Sequence, residues 1–473
     1  MEKFFSLSEL RRELGIPLIL AKKLVLWGEI KAVETAEGTL AITESELLKA
    51  KELLRHPWKR SYLFLKALGP GIITGASDDD PSGIGTYSSV GAQFGYKLIW
   101  MAPYLLPLMI AVQETCARIG VVTNQGLANV LKKRYSKIAV AILVMLLVLA
   151  NTINIGADLQ AMAASVQLMV EIKYIYALIG ITALIIVLEL SIPYKNYAKL
   201  LKWLTLSLFA YIITGFIIHP AWLNIFKEAI IPDITFNKDY IFAMVAVFGT
   251  TISPYLFFWQ TSEEVEEHDL ECAAPGPNLP KAKRVVKMRS DVFTGMLFAN
   301  IAFLFIVITT AEVLFKNGIT AVGTPQEAAL ALKPLAGDYA FILFALGIIG
   351  TGLLGVPVLA GSSAYAIAEL FGWKEGLEKK FWQAKGFYLV ILVSVVIGFL
   401  MNFIGISPMQ GLYYAAYVNG VLVVPLIFVI MKLGGDKKIM GHETHPKWIK
   451  FFGWVAFFFA TAAVITTLIL FFV

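Results

Sequence analysis

Charged side chains are scarce in this chain. Asp, Glu, Lys and Arg make up 16% of it, against about a quarter in soluble domains, while 58% of the residues are hydrophobic and the mean hydropathy is +0.72. A soluble protein of 473 residues could not cover its surface with so few charges, so that class is excluded. Cysteine is almost missing: Cys116 and Cys272 are the two present, too few for a metal cluster. Both fall on the expected cytoplasmic side, where a disulfide does not persist. The first sixty residues lack the short basic region and apolar core of a signal peptide, so none is expected there. The net charge of +6 makes no case for nucleic acid.

What the sequence does hold is a series of apolar stretches of about 20 residues, the length that crosses ~30 Å of hydrocarbon. Eleven spans are predicted near 64–90, 98–119, 137–169, 174–192, 201–219, 240–261, 291–315, 339–370, 386–404, 410–431 and 449–472. With the N-terminus inside, about 34 of the 40 Lys and Arg lie on the cytoplasmic side, including the clusters LKKRYSK, YKNYAKLLK, KAKRVVKMR and LEKK. That asymmetry sets the orientation and leaves the C-terminus outside. The expectation is an all-α, multi-pass protein of the cell membrane.

Residues 1–60 read as a separate cytoplasmic unit: a helix in LSELRRELG, a second in LILAKKLVLWGEI, two short strands around Glu37-Gly38, and a third helix in ESELLKAKELLRH. Helix, helix, hairpin, helix resembles a winged-helix or MerR-like unit. Its acids and bases nearly balance, so a regulatory or stabilising appendage is expected rather than DNA binding, since fold alone does not give function. The transporter core follows over 61–433, and a loop with the eleventh span over 434–473.

The most telling stretch is GPGIITGASDDDPSGIGTYSSVGAQFG, residues 69–95, which sets three aspartates and a proline inside the first apolar span. A carboxylate at mid-membrane depth costs roughly 2.5–3.5 kcal/mol on the insertion scale, and normally faces a cavity on a substrate or ion path. Pro81 removes a backbone donor and disfavours helix before it. Gly83 and Gly85 make unwinding cheap. The helix is therefore predicted to break, with freed carbonyls and the Asp78–Asp80 carboxylates forming an oxygen-rich notch suited to a cation. A short interfacial loop is the plainer alternative. The sixth span matches it: in FGTTISPYLFFWQTSEE, Gly249, Thr250, Thr251, Ser253 and Pro254 interrupt an apolar run five spans later. Paired interruptions imply a five-plus-five inverted repeat with a site where the breaks meet.

At these residues the sequence resembles the NRAMP divalent-metal transporter family, over roughly 64–430. The resemblance rests on GPG at 69–71, Asp80-Pro81, GAQFGYKLIW at 91–100, ARIGVVTNQGLA at 117–128 and LLGVPVLAGSSAYA in the eighth span. It implies a LeuT-like fold working by alternating access. The departures are informative. The family's Asp-Pro-Gly-Asn is here Asp80-Pro81-Ser82-Gly83, and its Met-Pro-His is Ser253-Pro254-Tyr255. A further family histidine corresponds to Gln260, and the Asp and Glu of the proton route correspond to Asp158 and Ala161. This pattern is similar to the NRAMP-related magnesium transporters.

The candidate ligands are then Asp80, the carbonyls around Ser77 and Thr250, and the hydroxyls of Ser82, Ser253 and Tyr255, with Gly83 leaving room and Asp79 either in the outer vestibule or behind the ligands. Asp78 is given no role. All donors are oxygen, which suits Mg, Ca and Mn, whereas sulfur selects softer ions. Mg²⁺ keeps several of its waters, and the loss of bulk at Gly83 and Ser253 makes space for them. The alternative for Ser253 is a hydroxyl bonded back to its own helix. Gln260, Asp158 and Asn154 are expected along the pathway, the last either lining water or bonding neighbouring helices with Asn151. Glu114 and Arg118, four apart, are expected to pair; Glu263 and Glu264 either meet the departing ion or form a solvated helix end. The expected function is import of divalent cations, hydrated Mg²⁺ first and Mn²⁺ next, without proton coupling and with no cofactor beyond the transported ion. The partners are the ion and the bilayer. A proton-coupled Mn²⁺/Fe²⁺ importer, an organic-solute symporter on the same fold and a membrane-tethered transcription regulator are the alternatives.

Overall fold

The computed structural model describes residues 4–14, 24–25, 30–34, 40–55, 74–75, 77–192, 207–273 and 280–472. The N-terminal residues form a three-stranded antiparallel sheet in the order β1 (Phe4–Ser6), β3 (Leu40–Thr43), β2 (Ala32–Glu34). Phe5 stands opposite Ile42, and Val33 opposite Ala41. Helices α1 (Leu7–Leu14) and α2 (Glu44–Leu53) accompany it. Thr43 caps α2 by accepting from the Glu46 N–H at 3.4 Å, one of the donors a helix start leaves open. Leu10, Leu24, Ile30, Ile42, Leu47 and Ala50 form a small core of their own. The strands on either side of Glu37-Gly38 are present, whereas β1 is additional: three residues are too few for an alternating pattern to register. Most of the expected second helix lies outside the described residues.

Every expected span has a helix among the described residues. They are α3 (Pro81–Phe94), α4 (Met101–Thr123), α6 (Lys137–Val166), α7 (Tyr174–Ser191), α8 (Phe209–Ile217), the pair α10 (Lys238–Thr251) and α11 (Pro254–Ala273), α12 (Lys281–Val313), α13 (Ala340–Phe371), α14 (Lys385–Met401), α15 (Pro408–Gly434) and α16 (Lys447–Phe472). Two short helices, α5 (Leu127–Lys132) and α9 (Trp222–Ile230), lie in connections. Eight segments among the described residues are long and apolar enough to cross a membrane, and α14 is a shorter apolar helix. The first halves of the first and fifth spans lie largely outside the described residues. The seventh helix starts at Lys281 rather than near 291, because the basic run KAKRVVKMRS is made of good helix formers and continues the helix out of the apolar layer.

The sixth span is two helices. α10 ends at Thr251, Ile252 leaves helical geometry at φ −120° and ψ 71°, and Pro254 opens α11. The first span is interrupted at Asp79-Asp80, with Asp80 extended (φ −64°, ψ 174°) and Pro81 the first residue of α3. Proline is suited to that position because its missing N–H has no partner to lose there. α3 packs on α12 and α15, α10 on α15, and α6 on α13, α14 and α15, which places both breaks inside the bundle.

Candidate metal site

Asp80 caps α3. Its Oδ1 accepts from the Ser82 hydroxyl at 2.6 Å and the Gly83 N–H at 2.9 Å; its Oδ2 accepts from the Asn154 amide at 3.0 Å and the Tyr255 hydroxyl at 3.3 Å. A buried carboxylate needs such donors, and four of them hold this one at the break. Tyr255 also lies 2.8 Å from the Ser77 carbonyl, so the first turn of α11 reaches across to the interrupted first helix. Ser82 Oγ is 3.3 Å from Thr250 Oγ1. The structure thus brings Ser77, Asp80, Ser82, Gly83, Thr250, Ser253 and Tyr255 to one place where the two breaks meet.

Ser253 and Gly83 differ in what they can offer an ion. The Ser253 hydroxyl lies 2.8 Å from the Thr250 carbonyl and 3.1 Å from the Gly249 carbonyl, so it bonds back to its own helix and has only lone pairs to offer an ion. Gly83 faces Asp80 through its N–H, a donor, and contributes space rather than a ligand. A Cβ there would come 3.2 Å from the Asp78 carbonyl and 3.5 Å from Thr250 Oγ1, so a larger residue would fill the pocket beside the carboxylate.

Around this centre, buried oxygens have no hydrogen-bond donor among the described residues: both carboxylate oxygens of Asp78 and Asp79, the Ser77 hydroxyl and Asn154 Oδ1; the buried Asp158 carboxylate faces the Ser82 N–H. Uncompensated burial of so many acceptors is expensive. No three carboxylate, imidazole or thiol groups converge as a ready-made metal cage among the described residues. The donor set is one satisfied carboxylate with hydroxyl, carbonyl and amide oxygens, and Asp78 is as deeply buried as Asp79.

Below the break, Gln260 accepts from Thr74 at 2.5 Å and donates to Glu264 at 2.8 Å, tying α11 to the first helix. Asn151 donates to the Leu359 carbonyl, so it serves helix packing. Glu263 and Glu264 are buried, which corrects the solvated-end alternative: α11 runs inside the bundle against α4 and α13. Glu114 and Arg118 pair at 2.6 Å as expected, and Glu114 also holds Arg289 of α12.

Sequence reasoning missed two neighbours. Gly355 of α13 lies directly against Asp80; a Cβ on it would sit 2.8 Å from the Asp80 Cβ. The glycine-rich run around it does not reveal which glycine does this. Asn419 of α15 is buried with both amide atoms lacking partners among the described residues, next to Gly420, whose backbone abuts Gly249. A single asparagine in YVNGVLVV was the available signal.

A helical bundle with two spans broken opposite each other around a buried carboxylate defines a membrane transporter rather than an enzyme. The chain belongs to the Nramp family, described as natural resistance-associated macrophage protein-like, which matches residues 71–470. Relatives include the divalent metal cation transporters MntH of Yersinia enterocolitica, 25% identical over 82% of this chain and 91% of that one, and of Klebsiella pneumoniae, 22% identical over 82% and 90%. Among solved structures, the Eremococcus coleocola manganese transporter superposes with a TM-score of 0.68 at 18% identity, covering 86% of this chain and 87% of that one. Mhp1, a nucleobase-cation-symport-1 family transporter, follows at 0.53 and 11%, covering 85% and 92%. The fold is LeuT-like.

Proposed function

We propose that this protein carries divalent cations through the membrane by alternating access, with hydrated Mg²⁺ as its principal substrate, Mn²⁺ as a second one, and entry into the cytoplasm as the direction. The observation that carries this reading is the donor set at the break: one carboxylate with hydroxyl, carbonyl and amide oxygens, and Ser253 and Tyr255 flanking Pro254 in place of the thioether and imidazole that the family resemblance puts there. Soft ligands favour softer ions; oxygen alone suits Mg, Ca and Mn. Buried acceptors without donors around Asp80 favour an ion that arrives with part of its water shell, as Mg²⁺ does. The two breaks fit a five-plus-five inverted repeat whose halves rock about the ion.

A proton-coupled Mn²⁺ importer is the second reading, favoured by the names of the relatives and by Asp158, a buried carboxylate within electrostatic reach of Asp80. Against it, Gln260 and Ala161 do not titrate, and a tyrosine hydroxyl such as that of Tyr255 ordinarily gives up its proton only at about pH 10. Calorimetric titration of the purified protein with Mg²⁺, Mn²⁺ and Cd²⁺ separates the two. Mg²⁺ binding with Cd²⁺ no tighter supports the oxygen site; Cd²⁺ binding far tighter, with no heat from Mg²⁺, favours the Mn²⁺ importer.

A further inference from the structure

α9 (Trp222–Ile230) takes no part in the ion site, and its surface is sorted into three sectors. At 100° per residue, Trp222, Ile225 and Ala229 share one side. That side meets the protein: Ile225 is buried, and the Trp222 ring packs on Phe216 and Phe305 at centroid distances of 5.4 and 6.4 Å. Leu223, Phe226 and Ile230 share the next side and are 83%, 60% and 64% exposed. Asn224 and Glu228 share the third, with Lys227 on the border between apolar and polar sides.

Three large apolar side chains in water would be costly, and nine residues extend only about 14 Å, less than half a hydrocarbon layer. The helix follows the exposed end of the fifth span, Phe216 and Ile217, and precedes exposed Ile231, Ile234 and Phe236. Its apolar side therefore continues the belt that the spans present to lipid. His219, at a left-handed φ of 45°, lies in the short connection between α8 and α9.

We propose that α9 lies in the plane of the bilayer surface, on the side opposite the basic loops, with Leu223, Phe226 and Ile230 set into the boundary between headgroups and acyl chains. Lys227 reaches along that boundary to the phosphates, Asn224 faces water, and the half-buried Glu228 lies on the same polar side near Tyr96. The anchor is joined to the transport machinery. The Ile230 carbonyl accepts from the Tyr104 hydroxyl of α4 at 2.9 Å. The Tyr240 hydroxyl lies 2.9 and 3.1 Å from the carbonyls of Lys97 and Asp233. Through 231–237 the anchored helix leads into α10, which ends at the ion site.

The test is a set of single cysteines at 223, 224, 226, 228 and 230 in a Cys272→Ser background, spin-labelled in the full-length protein and reconstituted in phosphatidylcholine and phosphatidylglycerol vesicles. Collision with oxygen should dominate at 223, 226 and 230, and collision with a water-soluble nickel chelate at 224 and 228. Nickel access at all five positions would mean that the helix stands in water. Exclusion of both reagents from 223, 226 and 230 would mean that protein, such as a second copy of the chain, covers that face. Either result overturns the proposal.

Discussion

At the scale of single residues, Asp80 is the carboxylate that faces both breaks, and its four donors define where an ion must compete. Asp80→Asn removes the charge and turns one acceptor into a donor facing the Asn154 amide or the Gly83 N–H. Ion binding by calorimetry and uptake by vesicles should both fall below detection while the protein stays folded. Asp79→Asn, whose oxygens touch no donor among the described residues, should do less harm; an equal loss would move the ligand assignment to Asp79. Selectivity belongs to the same scale. Ser253→Met with Gly83→Asn restores a soft ligand and fills the space beside Thr250. The preference for Cd²⁺ over Mg²⁺ should rise by about tenfold or more, about 1.4 kcal/mol. An unchanged ratio in paired titrations would mean that these positions do not touch the ion.

At the scale of elements, α13 sets the position of Asp80 through Gly355. Gly355→Ala would put a methyl group 2.8 Å from the Asp80 Cβ, and overpacking of that kind costs about 1–3 kcal/mol. Mg²⁺ affinity should fall about tenfold. Gly361→Ala is the control: on the same helix it meets Trp259, also at 2.8 Å, and should lower thermal stability without weakening ion binding. Equal affinities in the two variants would refute the role of Gly355. The loop after α13 has its own pH dependence. Burial, with the Glu369 charge next, pushes the Glu375 carboxyl up to about 9 against the pull of Lys379. The folded loop thus keeps a proton that the unfolded chain, at an ordinary 4.5, has already lost. This stability is fully present below about pH 4.5 and is lost as pH rises toward 9. Protease cleavage within 372–384 should increase between pH 6 and 9 in the native protein and stay flat in Glu375→Gln; parallel curves would contradict this.

The spans and breaks were legible in the sequence because length, hydropathy and a proline beside acids in an apolar run are one-dimensional signals. Asp80 with Tyr255 and Ser82 was legible for the same reason. The Gly355 contact and the four-donor set on Asp80 were not, because each depends on how two helices face each other, and periodicity does not carry that; for Ser253 the sequence offered both a ligand and a back-bonded hydroxyl without deciding between them. α9 was missed because nine residues in a connection make too short a pattern to stand out.

At the scale of the whole molecule, the proposed import has a driving force that needs no proton. A divalent ion moving inward gains about 4.6 kcal/mol per 100 mV, from ~2.3 per elementary charge, which is more than a thousandfold accumulation at equilibrium. The groups at Gln260 and Ala161 exchange no proton near neutral pH. The breaks, the oxygen donors and the buried carboxylates lie together around Asp80, where the proposed hydrated ion would bind. The most direct measurement is uptake into sealed proteoliposomes with the potential clamped by valinomycin, an internal Mg²⁺ dye and an internal pH dye, run in parallel with Mn²⁺ and Cd²⁺. Mg²⁺ should enter, its rate rising steeply with an inside-negative potential, while the pH signal stays flat and Asp80→Asn vesicles take up nothing. No Mg²⁺ entry, together with Mn²⁺ entry that acidifies the lumen and loses that acidification in Asp158→Asn, would contradict the account.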